Sequence, residues 1–475
     1  MRCLRFVLPG ILLLASVLAP EAHALAGLTM GFSGDPVLTS GSAATRATWI
    51  ARALSEGAEL VAVDVGWSAV APAVRPAGFV AADPAAPGYD WSAVDDQVRD
   101  LASHGLKVDF NISFAPTWAE GANPPQTVVP GTWKPSSAQF KAFATAIARR
   151  YDGHFPDPLQ PGRSLPRVRY YEAWNEPNLS TYLTPQWTRT GRGYAPASPV
   201  IYRSLLNAFY SGVKRVSKSD LVVAGATAPY GDLPGGQRMQ PVAFDRTLFC
   251  ERDNARLTAT KCPDPPHLDA LSHHPYGIGG PLWHALNADD VAVPDMYKLA
   301  NVLHAAQRTG HVLPRGPKRL WVTEISWDSS PPDPHGVPVE RQARWLEQSM
   351  YVLWRQGVDT VLWLKLVDQA PVPNYADTYQ AGLYYLNGQP KPAATAFRFP
   401  FVTRRLDRRH ILAWGRGPTN GRLSIEVRRG HRWAPIRTVR VRQREVYQVT
   451  LTMAGRAVLR ARLGGQTSLT WTQPS

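Results

Sequence analysis

The chain has 475 residues, of which 44% are hydrophobic and 19% charged, and its formal net charge is +15. Its 37 glycines and 43 prolines are too few for a disordered or collagen-like chain. No apolar run is long enough to span a bilayer by itself. Composition therefore excludes a collagen, a coiled coil, a polytopic membrane protein and a disordered tail. The length allows one large barrel or two to three smaller units.

The first 24 residues have the pattern of a secretory signal peptide. Arg2 and Arg5 precede the apolar stretch 6–19, and Ala22 and Ala24 frame a small-residue cleavage site. The apolar stretch is too short, and too broken by a proline, for a stable membrane span. We therefore expect export to a secreted or extracytoplasmic location, with an uncleaved anchor as the alternative.

The cysteines agree with export. Removal of the signal would take away Cys3 and leave Cys250 and Cys262, which lie 12 positions apart on a polar segment. In an oxidising compartment this spacing predicts one loop disulfide between them. Zinc-site spacings, phosphate loops and dinucleotide-binding glycine motifs do not occur in the sequence. The sequence predicts neither a metal nor a cofactor.

Short apolar strands alternate with segments of helical period downstream of the signal. Eight β-then-α units predict parallel strands with crossover helices, and eight is the number that closes a (β/α)8 TIM barrel. The predicted strands lie at 28–31, 60–66, 106–114, 167–174, 221–226, 268–272, 319–323 and 360–366. The predicted helices lie at 45–57, 91–104, 136–151, 199–217, 295–309, 339–356 and 392–398.

The connections that follow strands three to eight are long, whereas the returns from helix to strand are mostly short. A barrel elaborated at the C-terminal ends of its strands carries its site there. From residue 401 the apolar period changes to two, as in 446–451, which predicts a small antiparallel β domain. The expected organisation is a signal peptide at 1–24, a catalytic barrel at 25–400 and an Arg-rich, β-sandwich-like domain at 401–475.

Two glutamates stand at the ends of strands four and seven. Strand four runs into Trp-Asn-Glu-Pro-Asn, which contains Glu176, and strand seven runs into Thr-Glu-Ile, which contains Glu324. Strands four and seven lie on opposite sides of a barrel mouth, so the two carboxylates are predicted to face each other. Facing carboxylates are the minimal equipment for glycoside hydrolysis, because one protonates the leaving oxygen and the other attacks C1 or activates water.

The strand-four segment resembles the signature of clan A glycoside hydrolases, the retaining enzymes on a (β/α)8 barrel. Its context is most similar to family 39, with family 5 next, and the likeness covers residues 28 to 400. The resemblance implies that Glu176 is the acid/base and Glu324 the nucleophile. Strand seven departs from the family pattern, since it has Ile325 where family 39 often has an aromatic residue.

The same resemblance implies further substrate-binding residues. Asn175 would bond the sugar 2-hydroxyl, a contact that strengthens in the transition state. His274 and Tyr276 match the His-x-Tyr of strand six, which places Tyr276 as a donor to the nucleophile. Trp363 matches the strand-eight Trp that lies under the bound sugar.

Other residues near the strand ends have two interpretations. Trp363, Trp327 and Trp118 would either stack on a sugar or pack in the core. Asp64, Asp109 and Glu172 lie within strands, where a buried carboxylate must be paired or hydrogen-bonded, so we expect them to be structural.

The sequence therefore predicts a secreted retaining glycosidase that cleaves a β-linked oligo- or polysaccharide by double displacement. The competing class is a non-hydrolytic carbohydrate-binding or cell-envelope protein on the same barrel. Residues 401–475 contain 16 Arg, no Lys and three acidic residues, whereas the rest of the chain is nearly neutral. This domain would contact an anionic cell wall or membrane surface, or it is a solvated β surface. Nucleic acid is not expected as a partner.

Overall fold

The computed structural model describes residues 27–474. The predicted signal peptide lies outside the described residues. Within the described range, we find no helix that is both long and apolar enough to cross a membrane.

Eight parallel strands close into a barrel, as predicted. In chain order, the first twelve strands are β1 (Thr29–Phe32), β2 (Leu60–Gly66), β3 (Lys107–Ser113), β4 (Tyr170–Ala173), β5 (Trp187–Thr190), β6 (Gly193–Pro196), β7 (Leu221–Thr227), β8 (Ala270–His273), β9 (Arg319–Ile325), β10 (Ser329–Ser330), β11 (Val337–Pro338) and β12 (Val358–Trp363). The barrel order is β1-β12-β9-β8-β7-β4-β3-β2. The pairs β5–β6 and β10–β11 lie in the connections that follow β4 and β9.

Ten helices of the described chain cover and connect these strands. They are α1 (Pro36–Thr39), α2 (Ala43–Ser55), α3 (Trp67–Val70), α4 (Ser92–Ser103), α5 (Ser137–Arg150), α6 (Ser198–Val216), α7 (Pro241–Leu248), α8 (Met296–Thr309), α9 (Val339–Arg355) and α10 (Pro392–Arg398), with short 3-10 turns at Thr117–Ala119, Val293–Asp295 and Tyr375–Asp377. Local chemistry sets several ends. The Ser42 hydroxyl caps α2 by accepting from Thr45 N, and Gly310 ends α8 at φ 78°.

Three helices of the described chain were not predicted, namely the single-turn α1 and α3 and the eight-residue α7. Helix α7 lies in the segment that the sequence assigned to a long connection after strand five, because eight residues give too few turns for a clear helical period. The same connection contains the Cys250–Cys262 disulfide, which confirms the predicted pairing, with the two Cα atoms 5.6 Å apart.

The C-terminal region is a small antiparallel β domain, which confirms the predicted fold class. Its strands are β13 (Phe401–Arg405), β14 (His410–Arg416), β15 (Gly421–Arg429), β16 (Arg432–Val441), β17 (Val446–Thr452), β18 (Ala457–Leu463), β19 (Gln466–Thr467) and β20 (Trp471–Gln473). One sheet has the order β13-β14-β17, and the other has β16-β15-β18-β19 with β20 on β18. Both sheets contribute to one buried cluster, for example through Phe401 and Ile411 on one side and Ile425 and Leu459 on the other.

The β domain packs against the end of the barrel where the strands begin. The buried guanidinium of Arg416 donates to the Leu28 carbonyl and pairs with Glu59, residues that directly precede β1 and β2. Trp414 packs on Tyr351 of α9 with ring centroids 5.5 Å apart. The opposite end of the barrel, where the strands finish, is therefore left to the long connections.

Candidate active site

Glu176 is presented by a strained turn directly after β4. Trp174 and Glu176 have φ values of 79° and 37°, a left-handed conformation that costs a non-glycine residue roughly 1–2 kcal/mol. Neighbouring strands hold this turn, because Trp174 N donates to Ile112 O at 2.9 Å and Glu176 N donates to Ala226 O at 3.1 Å. Such strain concentrates at functional sites, where the surrounding structure enforces it.

Glu324 projects from β9 on the other side of the mouth. Its side chain is 19% exposed, and Oε2 accepts a hydrogen bond from the Tyr276 hydroxyl at 2.9 Å. Burial, and then the charge of Glu176, raise the pKa of Glu324, while the charge of His274, the Tyr276 hydrogen bond and the charge of Lys365 act in the opposite direction. These three groups favour the ionised carboxylate that a nucleophile requires.

His274 lies between the two glutamates. Its Nδ1 is 3.0 Å from Glu176 Oε1 and 3.7 Å from Glu324 Oε2, so the two distances together hold these oxygens within about 6.7 Å of each other. Its Nε2 is 3.1 Å from Thr323 Oγ1, whose own hydrogen is donated to Glu172, so Nε2 must be the donor. Although burial lowers it, the carboxylates of Glu324 and Glu176 raise the pKa of His274 to about 9. The ring is therefore an imidazolium at neutral pH, and both nitrogens donate.

Two further carboxyl groups lie inside the barrel beneath the site. Glu172 is hydrogen-bonded, as expected of a structural residue, whereas neither oxygen of the buried Asp109 has a hydrogen-bond partner among the described residues. Glu172 accepts hydrogen bonds from Ser272 and Thr323, and burial raises its pKa to about 7. Burial and the neighbouring charges of Glu172 and Asp64 raise the pKa of Asp109 well above its usual range. Both side chains are buried and do not reach the opening of the barrel.

Asp64 differs from the structural role expected of it. It is exposed, whereas the four residues before it in β2 are buried, so its carboxylate faces the open mouth of the barrel. Asn111 Nδ2 donates to Asp64 Oδ1 at 3.2 Å and to Asn175 Oδ1 at 3.1 Å. Desolvation, and then the charge of Glu324, raise the pKa of Asp64 to about 6. The predicted Asn175 thus belongs to a polar chain that continues around the mouth.

Lys365 is a member of the site that the sequence motifs did not indicate. It follows β12 by two residues, and its Nζ donates to the Gly34 carbonyl and lies 5.6 Å from the Tyr379 ring centroid. A Cβ placed on Gly34 would be 3.5 Å from Asp64 Oδ2 and 3.9 Å from Lys365 Nζ. The two charged groups therefore border the same space. A lysine at the carboxyl end of an apolar barrel strand was the signal available in the sequence.

Two of the predicted tryptophans lie below the site. Trp363 and Trp327 are 0% and 7% exposed, with ring centroids 6.1 Å apart. Their Nε1 atoms donate to the backbone oxygens of Ala381 and Gly279. Neither ring offers a free face to solvent in this structure, so sugar stacking on them stays a prediction.

Trp118 belongs to a separate aromatic cluster. Its ring centroid is 6.2 Å from that of Trp67 and 6.0 Å from that of Phe79, and its Nε1 donates to Pro72 O. These contacts place Trp118 in packing beside the barrel, and its predicted sugar contact stays untested.

Two tyrosines that the sequence analysis missed flank the glutamates. Burial raises the pKa values of Tyr182 and Tyr379, and the charges of both Glu176 and Glu324 raise them further. Both phenols therefore stay protonated and available as hydrogen-bond donors. They come from the long connections after β4 and β12, where no motif marks an individual tyrosine.

A cavity of about 480 Å³ lies between the connections that follow β3, β4 and β7. Trp133, Trp187 and Tyr194 supply aromatic rings to its walls. Within residues 27–474, no group of three or more His, Cys, Asp or Glu side chains is arranged to hold a metal ion.

Sequence comparisons find no match, either to a family model or to a curated protein. Solved structures do match. A family 39 glycoside hydrolase from the gut symbiont Bacteroides cellulosilyticus WH2 has a TM-score of 0.54 at 17% identity, covering 90% of this chain and 81% of that chain. SrfJ from Salmonella typhimurium has a TM-score of 0.50 at 12% identity, covering 91% of each. The shared property is the fold. The resemblance to the family 39 barrel is confirmed at that level.

Proposed function

We propose that the chain is a retaining glycosidase that hydrolyses a β-linked oligo- or polysaccharide by double displacement. The observation that carries this proposal is the placement of Glu176 and Glu324 across the mouth, with His274 between them and their nearest bridged oxygens within about 6.7 Å. Retaining enzymes hold their carboxyl groups about 5–5.5 Å apart, and inverting enzymes about 6.5–9.5 Å apart. The upper limit of about 6.7 Å excludes most of the inverting range, so the oxygen separation supports retention.

The first displacement forms a bond between Glu324 and C1 while the bond from C1 to the leaving oxygen breaks. Tyr276 donates to Glu324 Oε2 and so orients the carboxylate. The leaving oxygen takes its proton from Glu176. Because His274 donates to Glu176 Oε1, the acidic proton is carried by Oε2.

The second displacement frees the sugar from Glu324. Glu176, now ionised, removes a proton from water, whose oxygen attacks C1 and releases the Glu324 carboxylate. In this proposal Asn175 bonds the sugar 2-hydroxyl as positive charge develops at C1. The product keeps the β configuration, since C1 is inverted twice.

The test is sugar release from a panel of aryl β-glycosides and polysaccharides. Wild type is expected to release sugar, and Glu176→Ala to lose most activity. Azide should restore turnover of activated aryl glycosides by Glu176→Ala, because such leaving groups need no acid and azide supplies the second nucleophile. Full activity of Glu324→Ala on every glycoside tested would contradict the proposal. A carbohydrate-binding protein without hydrolytic activity would bind the panel and release nothing.

We further propose that the protein is exported and that its β domain binds an anionic wall polymer. Exposed arginines lie directly opposite each other across β15 and β16, as Arg422 with Arg440 and Arg429 with Arg432. Like charges in this arrangement destabilise a sheet by roughly 0.2–1 kcal/mol per pair, a cost that a bound polyanion removes.

Retention on an anionic cell-wall preparation tests this binding. The double variant Arg422→Gln/Arg440→Gln should elute at a lower salt concentration than wild type, because surface attraction is screened by salt. The matched control is Arg192→Gln/Arg308→Gln, which removes two exposed arginines from the barrel. Equal elution of the two double variants would show that the β surface is only solvated. An N-terminus at residue 25 in protein recovered from the medium would support export.

A further inference from the structure

We propose that Asp64 and Lys365 recognise the hydroxyls of the sugar bound at Glu324, and that they select a neutral sugar over a uronic acid. The inference rests on the proposed glycosidase function, and it names the substrate class of the same site. It concerns the side of the mouth opposite His274.

The barrel order places these residues on one arc. From Glu324 the neighbouring strands run β9, β12, β1, β2, β3 and β4. At their carboxyl ends they present, in order, Glu324, Lys365, Gly34, Asp64, Asn111 and Asn175. A sugar whose C1 faces Glu324 and whose 2-hydroxyl faces Asn175 has its next hydroxyls along this arc.

Gly34 lies between the two charged groups and places no side chain between them; Leu364 Cδ1, 3.4 Å from an added Cβ, is the other neighbour. A Cβ at this position would come within ordinary contact distance of both Asp64 Oδ2 and Lys365 Nζ. Asp64 Oδ1 is engaged by Asn111, which directs Oδ2 towards this space. The Gly34 carbonyl takes one of the three N–H donors of Lys365. An acceptor and a donor thus border one space, which suits two neighbouring hydroxyls.

The order along the arc assigns the hydroxyls. Asn111 links Asn175 to Asp64, so the group next to the 2-hydroxyl contact is the Asp64 carboxylate, which accepts from the 3-hydroxyl. Lys365 lies beyond Asp64 and donates to the 4-hydroxyl. Hydrogen bonds to charged groups are the strong ones, so both contacts discriminate among sugars.

The charges around this space exclude an acidic sugar. Lys365 is the ammonium on the arc, and the charges of the buried Asp35, of Glu324 and of Asp64 already act on it. A uronic acid would add another carboxylate beside that single ammonium. A neutral sugar adds none and still fills both hydrogen bonds, so the site favours it.

The test compares kcat/KM for neutral 4-nitrophenyl β-glycosides (glucoside, xyloside, mannoside and galactoside) with that for the β-glucuronide. Wild type should prefer its best neutral substrate by about 100-fold or more. Asp64→Asn should lower kcat/KM on that substrate by about 10- to 100-fold, and much less on its 3-deoxy analogue. Lys365→Met should show the same pattern with the 4-deoxy analogue. The matched control, Asp359→Asn, alters a carboxylate at the other end of β12, paired with Arg319, and should stay within about two-fold.

The inference is overturned if the glucuronide is the better substrate, or if Asp64→Asn and Lys365→Met lose equal activity on parent and deoxy substrates. Calorimetric binding of neutral 1,5-lactams and their uronic counterparts supplies a readout without hydrolysis. The wild type could prefer the neutral lactam, and Asp64→Asn could reduce that preference, while no glycoside is cleaved. That result would contradict the proposed glycosidase function and leave the proposed sugar recognition intact. Hydrolysis of glycosides without a preference for the neutral lactam would contradict only the proposed recognition by Asp64 and Lys365.

Discussion

The two ends of the barrel use charge in opposite ways. Where the strands begin, the buried Arg416 guanidinium is matched by Glu59, and Arg319 forms a two-point pair with Asp359 at 2.9 and 3.0 Å. Where the strands finish, carboxylates crowd one mouth and Glu176 stands in a strained backbone conformation. Stability is secured at one end, which allows the other end to hold groups that are unfavourable until a substrate arrives.

The largest expected effect comes from the mouth. Glu324→Gln should lower hydrolysis by about 10⁴-fold or more, since it removes the nucleophile. The same change should leave the melting temperature unchanged or higher, because it relieves the repulsion between Glu324 and Glu176. Hydrolysis rate and melting temperature would both be measured on the same preparation of the variant. A melting temperature that falls with the activity would mean that Glu324 supports the fold.

Arg416→Met should show the opposite signature. It leaves Glu59 and the Leu28 carbonyl without their buried partner, and breaking a buried ion pair costs about 3–5 kcal/mol of unfolding free energy. Urea denaturation measures this loss. Activity per folded molecule should stay at the wild-type level, because Arg416 lies at the far end of the barrel. Lost activity in fully folded protein would show that the two ends are coupled.

A smaller effect is expected from the pH dependence of stability at Asp64. The raised pKa of about 6 in the folded chain means that ionisation of Asp64 opposes folding, a penalty absent below its unfolded pKa of 3.8 and complete above pH 6. Asp64→Asn should therefore melt at the same temperature as wild type near pH 3.5 and at a higher temperature at pH 7. A constant difference across that range would contradict the assignment.

The loss of activity at alkaline pH should follow the deprotonation of His274. Its folded pKa of about 9 predicts that the stabilisation from its charge is present below pH 6.5 and lost as pH rises through 9. We expect kcat/KM to fall with one proton near pH 9. Thr323→Val removes the acceptor of Nε2–H and should move that fall to lower pH by about one unit. If Thr323→Val lost activity at the same alkaline pH as wild type, His274 would not be the group that titrates there.

The barrel and its two glutamates could be predicted because their signals are local. Apolar period sets strands and helices, and β2 and α10 have the predicted bounds. The motifs around Glu176 and Glu324 lie at strand ends, and knowing which strands oppose each other in a barrel was enough to set them face to face.

The rest of the site depends on contacts between distant segments. The exposure of Asp64 and the approach of Lys365 to Gly34 follow from the closure of β12 onto β1 and β2, which no local pattern encodes. The burial of Trp363 has the same origin, since the 381 backbone covers its ring nitrogen. Helix α7 was missed because it is short.

Trapping of the glycosyl-enzyme would identify the residue that attacks C1. The chain would be incubated with an activated 2-deoxy-2-fluoro glycoside of its best substrate, digested and examined by peptide mass spectrometry. One fluoroglycosyl group should be added to Glu324, and none to the Glu324→Gln variant. A label on another residue, or turnover that yields the inverted anomer with no covalent adduct, would contradict double displacement through Glu324.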